Sequence, residues 1–145
     1  MAKKKARAGL IPYFVEGNDI VFLTMKPSDP TYGGDCFQIA KGKVDPGETS
    51  NQAAVREASE ELGLNPANMV KLEHLGKFLG YTEIYYTEVY DKEDFGEFTY
   101  ETGETKWMTI DEFLATGRGI HKPIVKAFAR AISYEPALRN RLSEK

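Results

Sequence analysis

Glu57, Glu60 and Glu61 stand at i, i+3 and i+4 within Arg56-Glu57-Ala58-Ser59-Glu60-Glu61-Leu62-Gly63-Leu64. On a helix turning about 100° per residue, the three carboxylates gather on one arc beside a packing arc of Ala54, Val55, Ala58 and Leu62. Like charges at this spacing destabilise an isolated helix. They ask for a compensating positive charge, and a hard divalent cation held by oxygen ligands meets that need. Such a centre suits attack of water on phosphorus, because the metal neutralises phosphate charge, positions the electrophile and lowers the pKa of bound water. The plain alternative is a solvated acidic helix face with Arg56 in a surface ion pair.

The elements around the carboxylates have their own signals. Gly42, Pro46 and Gly47 punctuate the backbone enough to predict a shaped loop over Lys41–Glu48. Thr49-Ser50-Asn51-Gln52 has the form of a capping box, so a helix starts there. It runs to Leu62 and stops at Gly63, a left-handed terminator.

Taken together, Gly42, five residues, Glu48, seven residues and the run Arg56–Leu64 resemble the Nudix box of the Nudix hydrolases at every fixed position. The resemblance implies an α+β fold, an α/β/α sandwich with a mixed β-sheet between helices. It implies hydrolysis of a pyrophosphate bond in a nucleoside diphosphate linked to another group, with Mg2+ or Mn2+ as cofactor. It further implies that Glu57, Glu60 and Glu61 are the main metal ligands, with Glu60 or Glu61 closest to the nucleophilic water. The Lys41 carbonyl is implied as another ligand. Glu48 and Arg56 resemble the family's orienting pair, in which the arginine holds the loop glutamate against the helix.

A general base outside the box is expected at Glu101 or Glu104 by resemblance to relatives with a late glutamate, and Glu104 is assigned; solvated loop charge is the alternative. Lys41 and Lys43 are expected to reach substrate phosphates, against the alternative of inert surface lysines. The approach Phe37–Glu48 looks like that of dinucleoside polyphosphate hydrolases, although Ala40 stands where those relatives usually have proline. Tyr81 stands where that subgroup carries a tyrosine, and is expected to stack on a nucleobase. The favoured substrates are therefore dinucleoside polyphosphates such as diadenosine tetraphosphate. ADP-ribose and other nucleotide sugars, oxidised or ordinary nucleoside triphosphates and RNA 5′ ends are alternatives. The ADP-ribose subgroup usually has proline near positions 79 and 80, where this chain has Leu79-Gly80. A Nudix fold that binds nucleotide without turnover is a further class.

Elsewhere the chain reads as strands, helix, strands, helix. A hairpin is expected from Ala8–Val15 and Asp19–Met25, with Pro12 pushing the first strand to an edge. A loop over Pro27–Gly34 leads to a short strand Phe37–Ile39. Val70–Leu79, Tyr81–Tyr90, Phe98–Tyr100 and Lys106–Met108 are further strands. Ile110–Ala115 forms a short helix capped by Thr109. Ile124, Val125, Phe128, Ala131 and Ile132 place the apolar face of a last helix that Pro136 ends. His74, His121 and Trp107 are read as structural or surface residues.

The 145 residues, 41% of them hydrophobic, suit a single domain spanning 1–145, with 1–7 as a disordered basic tail. A net charge of −3 from residues of both signs argues against a stable nucleic-acid partner, leaving an RNA 5′ end only as substrate. Cys36 is alone, which excludes an intramolecular disulfide framework. No apolar run suits a bilayer span, and the basic N-terminus is not followed by an h-region. A cytoplasmic protein with a small nucleotide as its partner is expected.

Overall fold

The computed structural model describes residues 6–31 and 34–133. Its strands are β1 (Arg7–Glu16), β2 (Asp19–Pro27), β3 (Ala40–Lys43), β4 (Met69–Phe78), β5 (Thr82–Val89) and β6 (Thr102–Thr109). Three helices accompany them: α1 (Ser50–Leu62), α2 (Ile110–Thr116) and α3 (Lys122–Ser133). The sheet runs in the order β4-β5-β1-β2-β6, with β3 also on β1. β1 pairs in parallel with β5 and every other pairing is antiparallel, so the sheet is mixed.

Alternation along the central strands assigns the two faces. Ala8, Leu10, Leu23 and Met25 point to a core shared with Ala54, Ala58 and Leu62 of α1. Ile11, Tyr13, Phe22 and Tyr86 point to the opposite core, with Phe113 of α2 and Ile124, Phe128 and Ile132 of α3. Phe128 is the hub there, its ring 5.4 Å from Tyr13, 5.6 Å from Phe22 and 5.8 Å from Tyr86. The arrangement is the expected α/β/α sandwich of the α+β class.

Several local expectations need correction. Pro12 lies in the middle of the sheet. Arg7 donates its N–H toward β5, to the Tyr81 carbonyl, so even-numbered residues of β1 face the other edge. On that edge β3 pairs only as far as Leu10 and β2 begins at Tyr13. The missing N–H of Pro12 thus falls in the gap between two partners and costs no ladder bond. Arg7, expected in a tail, is the first residue of β1; residues 1–5 lie outside the described residues, as does Pro136.

Lys41, Gly42 and Lys43, expected in a loop, form β3 against β1, while the predicted strand Phe37–Ile39 reduces to one bridge between Gln38 and Met25. Gly42 does not break the strand because the close approach of α1 requires it there. Phe98–Tyr100 is not a strand, and the segment is fastened to α1 instead. The Thr99 N–H donates to the Glu60 carbonyl at 2.7 Å and the Thr102 hydroxyl to the Glu61 carbonyl at 2.9 Å. Those carbonyls belong to the last turn of α1, which has no intrahelical donors for them.

The ends of α1 follow the sequence signals. Thr49 and Gln52 form both halves of a capping box, and Gly63 closes the helix at φ 77°. A Cβ on Gly63 would lie 2.0 Å from the Gly96 carbonyl oxygen, whose own N–H donates to the Gly63 carbonyl. Gly63→Ala therefore combines a left-handed backbone with a clash against main chain. Its expected cost is about 2 kcal/mol or more, read as a lower denaturant midpoint at unchanged m-value. A loss below about 0.5 kcal/mol would show that this junction yields easily.

Candidate active site

Arg56 organises the face of α1 that carries the acids. Its Nε and one terminal nitrogen hold Glu48 in a two-point contact at 2.8 and 3.0 Å. The same terminal nitrogen also donates to the Lys43 carbonyl at 2.9 Å. The other reaches Glu60 at 3.0 Å and Glu57 at 3.4 Å. One guanidinium thereby fixes the loop after β3 and two carboxylates of the helix, using the planar fork that lysine lacks. The hydrogen bonds from Arg56 hold Glu48 below the usual carboxylate range.

Glu57 and Glu61 are in a different state. The Glu57 side chain is 12% exposed and its carboxylate lies on the α-carbon of Gly42, where a Cβ would come within 1.9 Å of Oε2. Burial raises the pKa of Glu57 against the attraction of Arg56, and the charge of Glu60 adds to the rise. Glu61 accepts a hydrogen bond from the Lys41 N–H at 3.2 Å. Burial, then the charge of Glu57, pushes it up to about 8. Two desolvated carboxylates that repel one another form a site short of positive charge.

These acids line a cleft of about 910 Å3. Glu101 lies in the same cleft, and its charge raises both Glu57 and Glu61. Glu101 is positioned by the Ser28 N–H donating to its carbonyl at 2.9 Å, while the Ser28 hydroxyl donates to Tyr100 O at 2.8 Å. The same cleft is also lined by the cations Arg7, Lys41, Lys43 and Arg118. Burial lowers Lys41 to about 8, aided by the nearby charges of Arg7 and Arg118.

A family model described as NUDIX domain matches residues 3–128. The chain belongs to the Nudix family. It is a Nudix hydrolase, an enzyme acting on phosphoric anhydride bonds. The asymmetrical bis(5′-nucleosyl)-tetraphosphatase of Rattus norvegicus is 33% identical over 114 residues, 73% of this chain and 75% of the relative. Among solved structures, a C. elegans Ap4A hydrolase binary complex superposes with a TM-score of 0.71 at 22% identity, covering 88% of this chain and 98% of that one. The NUDIX domain of Shewanella oneidensis NrtR, complexed with ADP ribose, also reaches 0.71 at 11% identity, covering 91% and 90%.

In this Nudix hydrolase the box residues meet as their spacing predicts, and the donors are the oxygen type that a hard divalent cation requires. As they stand, no three His, Cys, Asp or Glu side chains among the described residues converge into a ready-made coordination shell. Glu57 and Glu60 are turned onto Arg56 instead. The donor set nonetheless fits a cation, because Glu57 and Glu61 are buried together with too little opposite charge. Lys41 adds a carbonyl: its N–H points to Glu61 rather than to β1, and the C=O of a strand residue shares the edge of its N–H.

Other expected site residues fall elsewhere. Glu104 is in β6, opposite Lys26 and 3.9 Å from its ammonium, and is not among the cleft residues. Tyr81 sits in the turn between β4 and β5, its carbonyl accepting from Arg7, and does not line the cleft. Lys43 is exposed at the cleft wall. Arg7, Arg118, Gln38 and Tyr100 line it without having been singled out. Nothing local marks Arg118: it reaches the site only because the connection after α2 folds back onto residues 37–39.

His121 secures that connection. It is fully buried, and its Nδ1 accepts the Ile39 N–H at 3.1 Å. Burial, then Lys41 and Arg118, lowers its pKa from 6.5 to about 3. The folded state holds the ring neutral, so this stability is complete above pH 6.5 and drains away as pH falls from 6.5 toward 3. The loss at the acid end is roughly 3–5 kcal/mol. His121→Asn, which keeps an acceptor for Ile39, is expected to flatten the dependence of unfolding free energy on pH across that window. An unchanged slope would remove His121 as its source.

Proposed function

We propose that the chain uses Mg2+ or Mn2+ to hydrolyse dinucleoside polyphosphates such as diadenosine tetraphosphate. The observation that supports this reading is the two-signed cleft, lined by Glu57, Glu60, Glu61 and Glu101 together with Arg7, Lys41, Lys43 and Arg118. Such a lining suits a long phosphate chain, which can meet a cation held by the acids and still leave phosphates for the basic side chains. The name of the R. norvegicus relative, a tetraphosphatase, points the same way.

In this reading Glu57, Glu60, Glu61 and the Lys41 carbonyl hold the cation, which when bound neutralises phosphate charge and acidifies a water. Arg56 keeps Glu57 and Glu60 in place and ties them to Glu48. The Lys41 N–H orients Glu61. Glu101 takes the proton of the attacking water, the role expected of Glu104, because Glu101 faces the carboxylate pair and Glu104 faces Lys26. Tyr100, 88% exposed and anchored through its carbonyl, offers its ring to a nucleobase in the role expected of Tyr81.

The test is incubation with Mg2+ or Mn2+ and four substrates: diadenosine tetraphosphate, ADP-ribose, a nucleoside triphosphate and a 5′-triphosphorylated RNA. Preferential cleavage of the dinucleotide is expected, absent in Glu60→Gln and stopped by chelation with an unchanged circular dichroism spectrum. Faster cleavage of any other substrate overturns the substrate, and metal-dependent nucleotide binding without turnover overturns the activity.

A further inference from the structure

Arg7, Lys41 and Arg118 line the cleft that also holds the carboxylates of α1. Arg7 of β1 stands opposite Lys43, two residues from Lys41 on β3, and Arg118 is bonded to Phe37 and Gln38 just before that strand. Among the described residues none of the three has a carboxylate within ion-pair distance. Clustered cations repel one another, and fixing three side chains costs rotamer entropy, so the cluster is unfavourable without an anion.

Two further observations indicate that it is built for one. The Nε of Arg7 is buried and has no hydrogen-bond partner. A buried donor left unpaired is expensive, and an anionic oxygen would satisfy it. Arg118 is held in place before any ligand arrives. Its N–H donates to the Phe37 carbonyl at 2.9 Å and its guanidinium to Gln38 Oε1 at 2.7 Å. His121 fastens the same connection to Ile39. Gln38 occupies one terminal nitrogen, leaving other donors of the fork for a second acceptor.

We infer that Arg7 and Arg118, with Lys41 between them and the carboxylates, form a second phosphate subsite that holds the part of a polyphosphate chain distant from the scissile bond. Lys41 marks the border, since its own N–H donates to Glu61. The subsite makes the enzyme sensitive to chain length. A substrate bridged by two phosphates places both beside the carboxylates, whereas one bridged by four has charge left for the arginines. Guanidinium suits this role because its fork binds phosphate oxygens in pairs and stays charged beside other cations. The inference rests on the reading of the cleft as a polyphosphate hydrolase site, but the subsite itself requires only anion binding.

Arg118→Gln tests it, with Arg7→Gln as a second variant because position 7 lies in β1 and its loss can perturb folding. Two quantities are measured: the ratio of kcat/KM for diadenosine tetraphosphate to that for ADP-ribose, and the affinity of chelator-treated protein for inorganic tripolyphosphate by calorimetry at low ionic strength. Each variant is expected to lower the ratio and the tripolyphosphate affinity at least about tenfold. Arg118→Lys should recover only part of the affinity. Tripolyphosphate binding within about twofold of wild type in both variants overturns the subsite, as does absence of binding to the wild type. If the wild type cleaves no dinucleotide but Arg118→Gln still weakens tripolyphosphate binding, the subsite stands and the proposed activity fails.

Discussion

Glu57→Gln is expected to lower kcat by about 1,000-fold or more while leaving the melting temperature equal or higher. The substitution keeps the shape of the side chain packed on Gly42 and removes its charge. That charge is unfavourable to the folded protein, because burial and Glu60 together outweigh the attraction of Arg56. In the proposed mechanism that charge serves as an anionic ligand for a divalent cation, a trade of stability for activity. Single-turnover rates over a range of Mg2+ concentration, beside a thermal melt, check the prediction. A full rate restored by high Mg2+ would show that Glu57 contributes to affinity alone. A substantial drop in melting temperature would show that the Arg56–Glu57 contact outweighs burial.

Gly42→Ala is expected to reduce kcat/KM by at least about 100-fold although it adds a single methyl group. The new Cβ would stand 1.9 Å from Oε2 and 2.2 Å from Cδ of Glu57. No backbone penalty accompanies it, because Gly42 is in β3 and is not among the glycines with positive φ. The burden falls on the Glu57 carboxylate, which must move from its place between β3 and Arg56. Both substitutions disable the same contact, so their effects should not add. Gly42→Ala combined with Glu57→Gln is expected to be no more than about threefold slower than Glu57→Gln alone. Fully additive losses would mean that Gly42 acts on another part of the site.

How the site was legible differs from residue to residue. Glu57, Glu60 and Glu61 were readable because helical periodicity converts a spacing into a shared face, and both ends of α1 carry local capping chemistry. The Arg56–Glu48 pair is what the family resemblance implies, but the reach of Arg56 to Glu57, Glu60 and the Lys43 carbonyl is not. In the sequence Gly42 reads as a loop breaker, whereas in the structure it lies within β3. A glycine required for close approach of a helix looks, in sequence, like one required for a turn.

Residues brought in by the path of the chain were less visible. Glu101 and Glu104 have the same chemistry and nearly the same position in sequence. Their difference arises because Thr99 and Thr102 clip the segment before β6 to α1, leaving Glu101 in the cleft, whereas β6 pairing sets Glu104 opposite Lys26. Arg7 resembled a tail residue because a run of basic side chains precedes it, yet β3 and β5 hold it within the sheet.

By itself the sequence determined the acidic helix, its caps, the two-faced apolar pattern and the family chemistry, since each depends on residues close together along the chain. Only the tertiary structure decided which late glutamate faces the acids, how deeply Glu57 and Glu61 are desolvated, and that Arg7 and Arg118 share one cleft with them. Desolvation and long-range charge depend on what the fold brings near, and for Arg118 that means β3 and residues 37–39, far from it in sequence.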